Sequence, residues 1–207
     1  MKLIDAIKFE GKPVTIPNCS RSGLPEFLVQ MGFKTGAEIG VYKAEYTEKL
    51  CKAGLFIYAI DPWIAYQGSG KSQQAQSRQD FLFGHASRVL APYKNVKIIR
   101  KTSMNALADF KNGSLDFVYI DGDHRFPYVA EDIYHWYAKV RRGGIISGHD
   151  YYNVDSGANN VLFHVKSIVD AFIETFYIPN FYIFGPSQTP EKDPKDDKYH
   201  SWMFFKQ

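Results

Sequence analysis

Three residues with chemically useful side chains follow a short apolar run near the middle of the chain. Asp121, Asp123 and His124 come directly after residues 115–120. That run is mostly apolar, aromatic and β-branched and is bounded by glycine-containing turns, which is typical of a buried strand. Ligands of open α/β sheets bind outside the carboxyl ends of the strands. We therefore expect these three side chains to lie where the chemistry is done.

A fourth acid, Asp150, follows a second predicted strand 29 residues after Asp121. If the two strands are neighbours, their carboxylates converge, which costs stability unless a cation lies between them. Such an oxygen-rich site suits Mg²⁺, Ca²⁺ or Mn²⁺, with Asp123 as a third ligand or a supporting residue. His149 beside Asp150 adds an imidazole that would also suit Mn, Fe or Zn. Alternatively, His149 is a structural histidine packed beside Tyr151.

The segment GAEIGVYKAEYTEKL suggests a second binding element. It places Glu38 in a strand and Gly40 at the turn into a helix, so the N–H groups of Val41 to Ala44 would point at a ligand above the helix. The segment lacks the three glycines of a dinucleotide fingerprint, which argues against a pyrophosphate. A ligand with an amino-acid head group needs less space, and its ammonium would pair with Glu38.

The next strand ends at Asp61, 21 residues after Gly40. This is close to the spacing of about 20 residues at which an acid meets ribose hydroxyls. Glu38 and Asp61 together therefore predict a nucleoside site. The alternative is that both acids only cap strand ends.

The elements that must position these residues alternate between strand and helix over the first 150 residues. We predict strands at 37–41, 55–60, 96–100, 115–120, 145–147, 180–184 and 201–205. We predict helices at 22–31, 45–53 and 104–110, one that ends at about residue 90, and two that begin at residues 127 and 161. This pattern predicts an α/β fold: a single-domain, Rossmann-like, mostly parallel seven-stranded sheet with helices on both faces and an antiparallel C-terminal strand. Residues 1–35 are expected to form an N-terminal extension and helix, and 36–207 one core. A mobile loop or lid is expected at 66–80.

Composition limits the possible partners. The chain has 207 residues, a formal charge of +3, 45% hydrophobic and 23% charged residues, as in an ordinary soluble domain. No basic arm predicts nucleic acid, and no apolar run is long enough for a membrane span. The charged N-terminus does not resemble a secretory signal. Two cysteines, Cys19 and Cys51, fit a reducing cytoplasm.

Four segments carry a family resemblance: EIGVYKAEYT, YAIDPW, LDFVYIDGDH and GGIISGHDY. Their order resembles the class I S-adenosylmethionine-dependent methyltransferases over about residues 36–177. It is most similar to a bacterial branch whose relatives include metal-assisted, sugar-type O-methyltransferases. The pattern IDGDH…GGxxxGHDY is the most specific part. The resemblance implies an S-adenosylmethionine cofactor, a small-molecule acceptor and a divalent cation such as Mg²⁺. The sequence leaves the oligomeric state open, with a homo-oligomer as one option.

The resemblance also implies roles for single residues. The turn would hold the methionine end of the cofactor, and the acid after the next strand would hold the ribose. The next strand–helix turn would contact adenine, although an acid often found there is replaced by Thr102. The cofactor residues so implied are Glu38, Gly40, Val41, Tyr42, Asp61, Trp63, Thr102, Ser103 and Asp121. Trp63 either stacks near the adenosine or is a core or rim aromatic.

Methyl transfer to oxygen needs a base that takes the proton of the hydroxyl group. His124 titrates near neutral pH and follows the acids directly, so we assign it this role, with Asp121 and Asp150 as cation ligands. The alternative is that His124 only caps the next helix. The late aromatic residues Tyr151, Tyr152, Phe163, Tyr177, Phe181 and Tyr182 would line an aryl or sugar pocket or simply belong to the core.

Two other functions use the same residues. Asp121-Gly122-Asp123 resembles the metal-binding D-x-D of nucleotide-sugar glycosyltransferases, but that reading leaves the Glu38–Gly40 turn unexplained. A non-catalytic nucleoside-binding module would lack the acids or the base, which are all present. GSGKS at 68–72 lacks the first glycine of a phosphate loop, because residue 65 is alanine.

Overall fold

A computed structural model describes residues 1–65, 75–156, 161–185 and 199–207. Most of the predicted lid at 66–80 lies outside these residues, and its last part, from Gln76, is helical. The late loop at 185–200 also lies largely outside them. No helix of the described part has the length and apolar character needed to cross a membrane.

Strands and helices alternate as expected. The helices are α1 Leu3–Ala6, α2 Leu24–Gln30, α3 Glu45–Lys52, α4 Gln76–Leu90, α5 Ser103–Ala106, α6 Phe126–Lys139 and α7 Val165–Thr175. The strands are β1 Val14–Ile16, β2 Thr35–Ile39, β3 Phe56–Ile60, β4 Val96–Ile99, β5 Leu115–Ile120, β6 Val140–Gly148, β7 Asn153–Ser156, β8 Val161–His164, β9 Phe181–Phe184 and β10 Ser201–Phe205. Short 3₁₀ helices cover Arg21–Gly23 and Leu107–Asp109.

The main sheet has the strand order β1-β9-β10-β6-β5-β2-β3-β4. Its pairs are parallel except that β10 runs antiparallel to both β6 and β9. The α/β, Rossmann-like class and the antiparallel C-terminal strand are therefore confirmed. The strand number is eight, not seven, because β1 pairs in parallel with β9 at the sheet edge. The N-terminal segment thus extends the sheet.

Two helix predictions need correction. The long helix expected from residue 161 begins only at Val165, because Val161–His164 pairs with Asn153–Ser156 as a separate two-stranded sheet. A run of β-branched and aromatic residues suits a strand as well as a helix face, so periodicity alone did not separate the two. The helix expected at 22–31 is divided: a 3₁₀ turn at Arg21–Gly23, capped by Ser20 through the N–H of Ser22, precedes α2, which begins at Leu24.

Alternation along the central strands fills two cores. In β5, Val118 and Ile120 pack on the side of α6 and α7, while Phe117 and Tyr119 pack on the opposite side, toward α2 and α3. This is the period of two that places successive side chains on opposite faces. The buried stripe of α6 includes Val129, Ile133 and Trp136, and burying large apolar side chains is the main force that fixes a helix on a sheet. Both faces of the sheet are therefore covered, and its strand tips remain for a site.

Candidate active site

The tips of β2, β3, β5 and β6 meet at one edge of the sheet. Backbone hydrogen bonds continue past the strand ends: Gly40 donates to Ile60 at 2.9 Å, and Asp121 donates to Ile39 at 2.8 Å. Gly40 has φ +88°, and a Cβ there would lie 2.2 Å from the Asp121 carbonyl oxygen. Only glycine allows this close approach. The two turns that were predicted to carry the cofactor and the acids therefore touch.

Asp121, His124 and Asp150 converge at this edge. His124 Nε2 lies 3.4 Å from Asp121 Oδ1 and 3.0 Å from Asp150 Oδ2. Each residue offers one ligand atom, and these three atoms lie within 4.8 Å of one another. Two carboxylates and an imidazole form a donor set that suits a divalent cation. The convergence of Asp121 and Asp150, expected from the strand positions, is what the structure shows.

The electrostatics of this cluster are coupled. Burial would raise the pKa of Asp121, but the contact with His124 and the charge of His149 hold it below its usual value. Burial would lower the pKa of His124, but Asp121 outweighs it and raises that pKa. His149 Nδ1 lies 3.1 Å from Asp150 Oδ1. The raised pKa of His124 and the lowered pKa of Asp121 show that each group favours the charged form of the other.

Asp123 points into a different set of contacts. Its carboxylate accepts from Arg125 Nε at 2.9 Å and from the Arg125 backbone N–H at 3.1 Å. The guanidinium also covers the ring of Tyr128, 4.5 Å from the ring centroid. Asp123 is thus held by the start of α6 and does not join the three converging ligand atoms.

Glu38 is a buried acid without a hydrogen bond on one oxygen. Its residue is 2% exposed, and Oε2 has no hydrogen-bond partner within the described part of the chain. Burial raises its pKa to about 8. A buried polar atom of this kind costs free energy unless a ligand satisfies it. An ammonium group has the charge and the hydrogen-bond donors that such an oxygen lacks.

Asp61 holds the turn after β2. Its Oδ2 accepts the N–H groups of Val41 and Tyr42, both at 3.0 Å, and Oδ1 accepts the N–H of Trp63 at 2.8 Å. Burial raises the pKa of Asp61, although these three bonds oppose the shift. A carboxylate has about four acceptor sites, so one remains on Oδ1. Asp61 therefore ties the two turns together and retains one acceptor for a hydroxyl.

The predicted adenine side contains a network that sequence reasoning missed in part. Thr102 caps α5 by accepting the N–H of Asn105 at 3.2 Å. Ser103 donates to Asp132 and accepts from Trp136 Nε1 at 2.7 Å. Burial raises the pKa of Asp132 to about 7. Asp132 interrupts the apolar face of α6, and an acid at a core position is the signal that could have identified it.

The aromatic residues divide between core and site. Trp63 is buried against Phe83 and donates to the Tyr42 carbonyl at 3.0 Å, so it is a core aromatic at the edge of the turn. Phe163 lies edge-on to His124, with ring centroids 5.9 Å apart. Tyr152 stacks on Tyr199 at 3.9 Å. Of the other candidates, Tyr151, Phe181 and Tyr182 are core residues, and Tyr177 is exposed.

A second missed residue, Arg21, enters the site from the N-terminal segment. Its Nη1 donates to Asp121 Oδ2 at 3.2 Å. The segment before residue 36 shows weak patterning, and no motif marks a residue there that reaches a strand tip 100 positions later. Only the folded chain reveals this contact.

A family model described as "Methyltransferase domain" matches residues 37–151, which is more than half of the chain. The chain belongs to the methyltransferase-domain family. The match spans Glu38, Asp61, Asp121 and Asp150, so the residues at the strand tips lie within the family's own domain. This assignment favours the methyltransferase function over the glycosyltransferase function that Asp121-Gly122-Asp123 also allowed. No curated protein sequence matches the chain.

Solved structures share the fold of this methyltransferase-domain chain at low identity. An O-methyltransferase from Bacillus cereus in complex with SAH has a TM-score of 0.60 at 16% identity, over 89% of this chain and 80% of that one. A 1,6-didemethyltoxoflavin-N1-methyltransferase from Burkholderia thailandensis has a TM-score of 0.56 at 11% identity, over 89% of this chain and 76% of that one. An rRNA methylase from Streptococcus thermophilus has a TM-score of 0.57 at 15% identity, over 88% and 93%. The three differ in acceptor, so the likeness supports the fold alone.

Proposed function

We propose that the chain is an S-adenosylmethionine-dependent methyltransferase that methylates a hydroxyl group of a small molecule with the help of a divalent cation. The observation that carries the proposal is the adjacency of two unlike sites at one sheet edge. A buried carboxylate at Glu38 with one unsatisfied oxygen suits the ammonium of the cofactor, and the converging carboxylates of Asp121 and Asp150 suit a cation, with His124 beside them as the base. The proposal includes a cytoplasmic location, because a chain with only two cysteines, Cys19 and Cys51, is typical of a reducing compartment.

The chain's own residues have defined tasks toward the cofactor. Glu38 would accept the ammonium, and the remaining acceptor of Asp61 Oδ1 would take a ribose hydroxyl. Thr102 and Ser103 would border adenine, with Asp132 and Trp136 fixing the Ser103 hydroxyl. When bound, the cofactor supplies a methyl group on a positively charged sulfur. The fixed turn around Gly40 orients that end, and orientation provides much of the rate advantage.

The cluster has defined tasks toward the acceptor. Asp121 and Asp150 would hold the cation, which lowers the pKa of a nearby hydroxyl. His124 Nε2 would take the proton of that hydroxyl while the oxygen–carbon bond forms and the sulfur–carbon bond breaks. His124 must be neutral for this step, and Asp121 and Asp150 would raise its pKa less if their charges were offset by a bound cation. Phe163 lies edge-on to His124 and would limit access of water to it.

The acceptor is proposed to be a small molecule because the charge of +3 is low and no basic run favours RNA. The rRNA methylases among the structural neighbours make RNA the alternative acceptor. Tyr152 and Tyr199, stacked near the cluster, favour an aryl or sugar ring over an aliphatic chain.

Isothermal titration of S-adenosylhomocysteine tests the proposal. We expect one binding event per chain, because the site is formed by a single sheet edge. Titration of a UDP-sugar with Mn²⁺ serves as the control for the glycosyltransferase alternative. Binding of the UDP-sugar together with no heat from S-adenosylhomocysteine would overturn the proposal.

A further inference from the structure

The Arg21 side chain is held at the cofactor edge by contacts at both of its ends. Its side chain is 17% exposed, and Nη1 lies 3.2 Å from Asp121 Oδ2. The guanidinium lies over the ring of Tyr46, 5.3 Å from the centroid. Tyr46 in turn donates its hydroxyl to the Arg21 carbonyl at 3.1 Å. The Arg21 guanidinium is therefore positioned by α3, the helix that follows the Gly40 turn.

Most charged groups around Arg21 are acids, and the imidazoles of His124 and His149 contact Asp150. Glu38 and Asp121 flank Arg21, and Asp61 and Asp150 lie at the neighbouring strand tips. The other arginines near this edge have different tasks: Arg100 pairs with Asp80, and Arg125 pairs with Asp123. The methionine end of the proposed cofactor carries an ammonium and a carboxylate. The acids suit the ammonium of the cofactor and repel its carboxylate. The carboxylate therefore needs a positively charged side chain.

We propose that Arg21 binds the carboxylate of the cofactor's methionine portion and bridges it to Asp121. This inference rests on the proposed function and assigns a specificity-determining residue to it. A guanidinium has five N–H donors in a planar fork that matches a carboxylate, and it can serve two carboxylates at once. The bond to Asp121 fixes the direction of the fork before the ligand arrives. The N-terminal segment thereby becomes part of the binding site.

The deciding experiment compares two ligands by isothermal titration. S-adenosylhomocysteine carries the carboxylate, and its decarboxylated analogue keeps the adenosine, the thioether and the amine. We expect Arg21→Met to weaken binding of S-adenosylhomocysteine about 10- to 100-fold, since the variant loses a charge-assisted hydrogen bond to the carboxylate of the ligand. The analogue should bind to both proteins with similar affinity. Arg21→Lys keeps the charge without the fork and should show an intermediate loss.

Lys49→Met is the matched control. Lys49 donates to Ser22 Oγ at 3.3 Å. The variant therefore removes a positive side chain that contacts the 3₁₀ helix Arg21–Gly23 and leaves Arg21 in place. Its affinity for S-adenosylhomocysteine should stay at the wild-type value. Equal losses for both ligands in Arg21→Met and Arg21→Lys would show a structural role and overturn the inference alone. Failure of the wild type to bind either ligand would overturn the proposed function as well.

Discussion

At the scale of single residues, the site depends on acids held in unfavourable surroundings. Glu38 and Asp132 are both buried, and their pKa values are raised to about 8 and about 7. Perturbed groups of this kind concentrate at functional sites, where a ligand supplies the missing partner. Glu38 has such an unsatisfied oxygen, whereas Asp132 already accepts from Ser103. The two acids therefore differ in what they offer to a ligand.

Glu38→Gln should separate stability from binding. Because the pKa of Glu38 is raised on folding, its stabilising contribution is full below about pH 4.5 and is lost as pH rises through about 8. Urea unfolding should show wild-type stability falling over this window by up to about 1.4 kcal/mol per pH unit, with a smaller fall in the variant. An identical pH slope in both proteins would contradict the burial of this carboxyl.

The same variant should bind S-adenosylhomocysteine about 10- to 100-fold more weakly, since it loses a charged hydrogen bond. Wild-type affinity should rise from pH 6 to pH 8, because binding of an ammonium favours the ionised form of Glu38. Isothermal titration in buffers of different ionisation enthalpy would detect the released proton. Unchanged affinity in the variant would remove Glu38 from the cofactor site.

His124→Gln tests the base. We expect turnover to fall about 10²- to 10⁴-fold, the usual contribution of a positioned proton acceptor. Affinity for S-adenosylhomocysteine should change little, because His124 contacts Asp121 and Asp150, whereas the ammonium and the ribose are assigned to Glu38 and Asp61. A fully active variant would show that His124 is not the base. Weaker Mn²⁺ binding in the variant would identify His124 as a cation ligand instead.

At the scale of elements, the turn between β2 and α3 is the part that the rest of the site depends on. Asp61 fastens it through two N–H groups, and Gly40 lets it pass against the tip of β5. Tyr42 and Ala44 in the same turn also have positive φ, at 52° and 66°. Strained residues persist only where the surroundings fix them. The turn is therefore preformed before any ligand binds.

Gly40→Ala should destabilise the protein by several kcal/mol, because a Cβ would overlap the Asp121 carbonyl oxygen. Gly32→Ala is the matched control: its φ is also positive, at +76°, but a Cβ there meets nothing within 4 Å. The control should cost only about 1 kcal/mol, from backbone strain. Urea midpoints measure both. Equal losses would mean that the close approach of the two turns is unimportant.

At the scale of the whole molecule, the sequence predicted the central sheet and the acids at its strand ends better than the N-terminal segment. Apolar runs followed by acids identified the tips of β2, β3, β5 and β6, because chemistry in such folds lies at strand ends. β1 was missed because three residues carry too little pattern. Arg21 was missed because its role depends on a contact across 100 residues. Local patterns report local structure, and long-range contacts require the fold.

The account's central claim is that one sheet edge places the methyl donor beside the cation. Nuclear magnetic resonance of S-adenosylmethionine labelled with ¹³C in its methyl group measures this directly, with Mn²⁺ as a paramagnetic probe. We predict strong paramagnetic broadening of the bound methyl signal, which Asp150→Asn reduces because it removes a cation ligand. Binding of both Mn²⁺ and the cofactor without broadening would contradict the account.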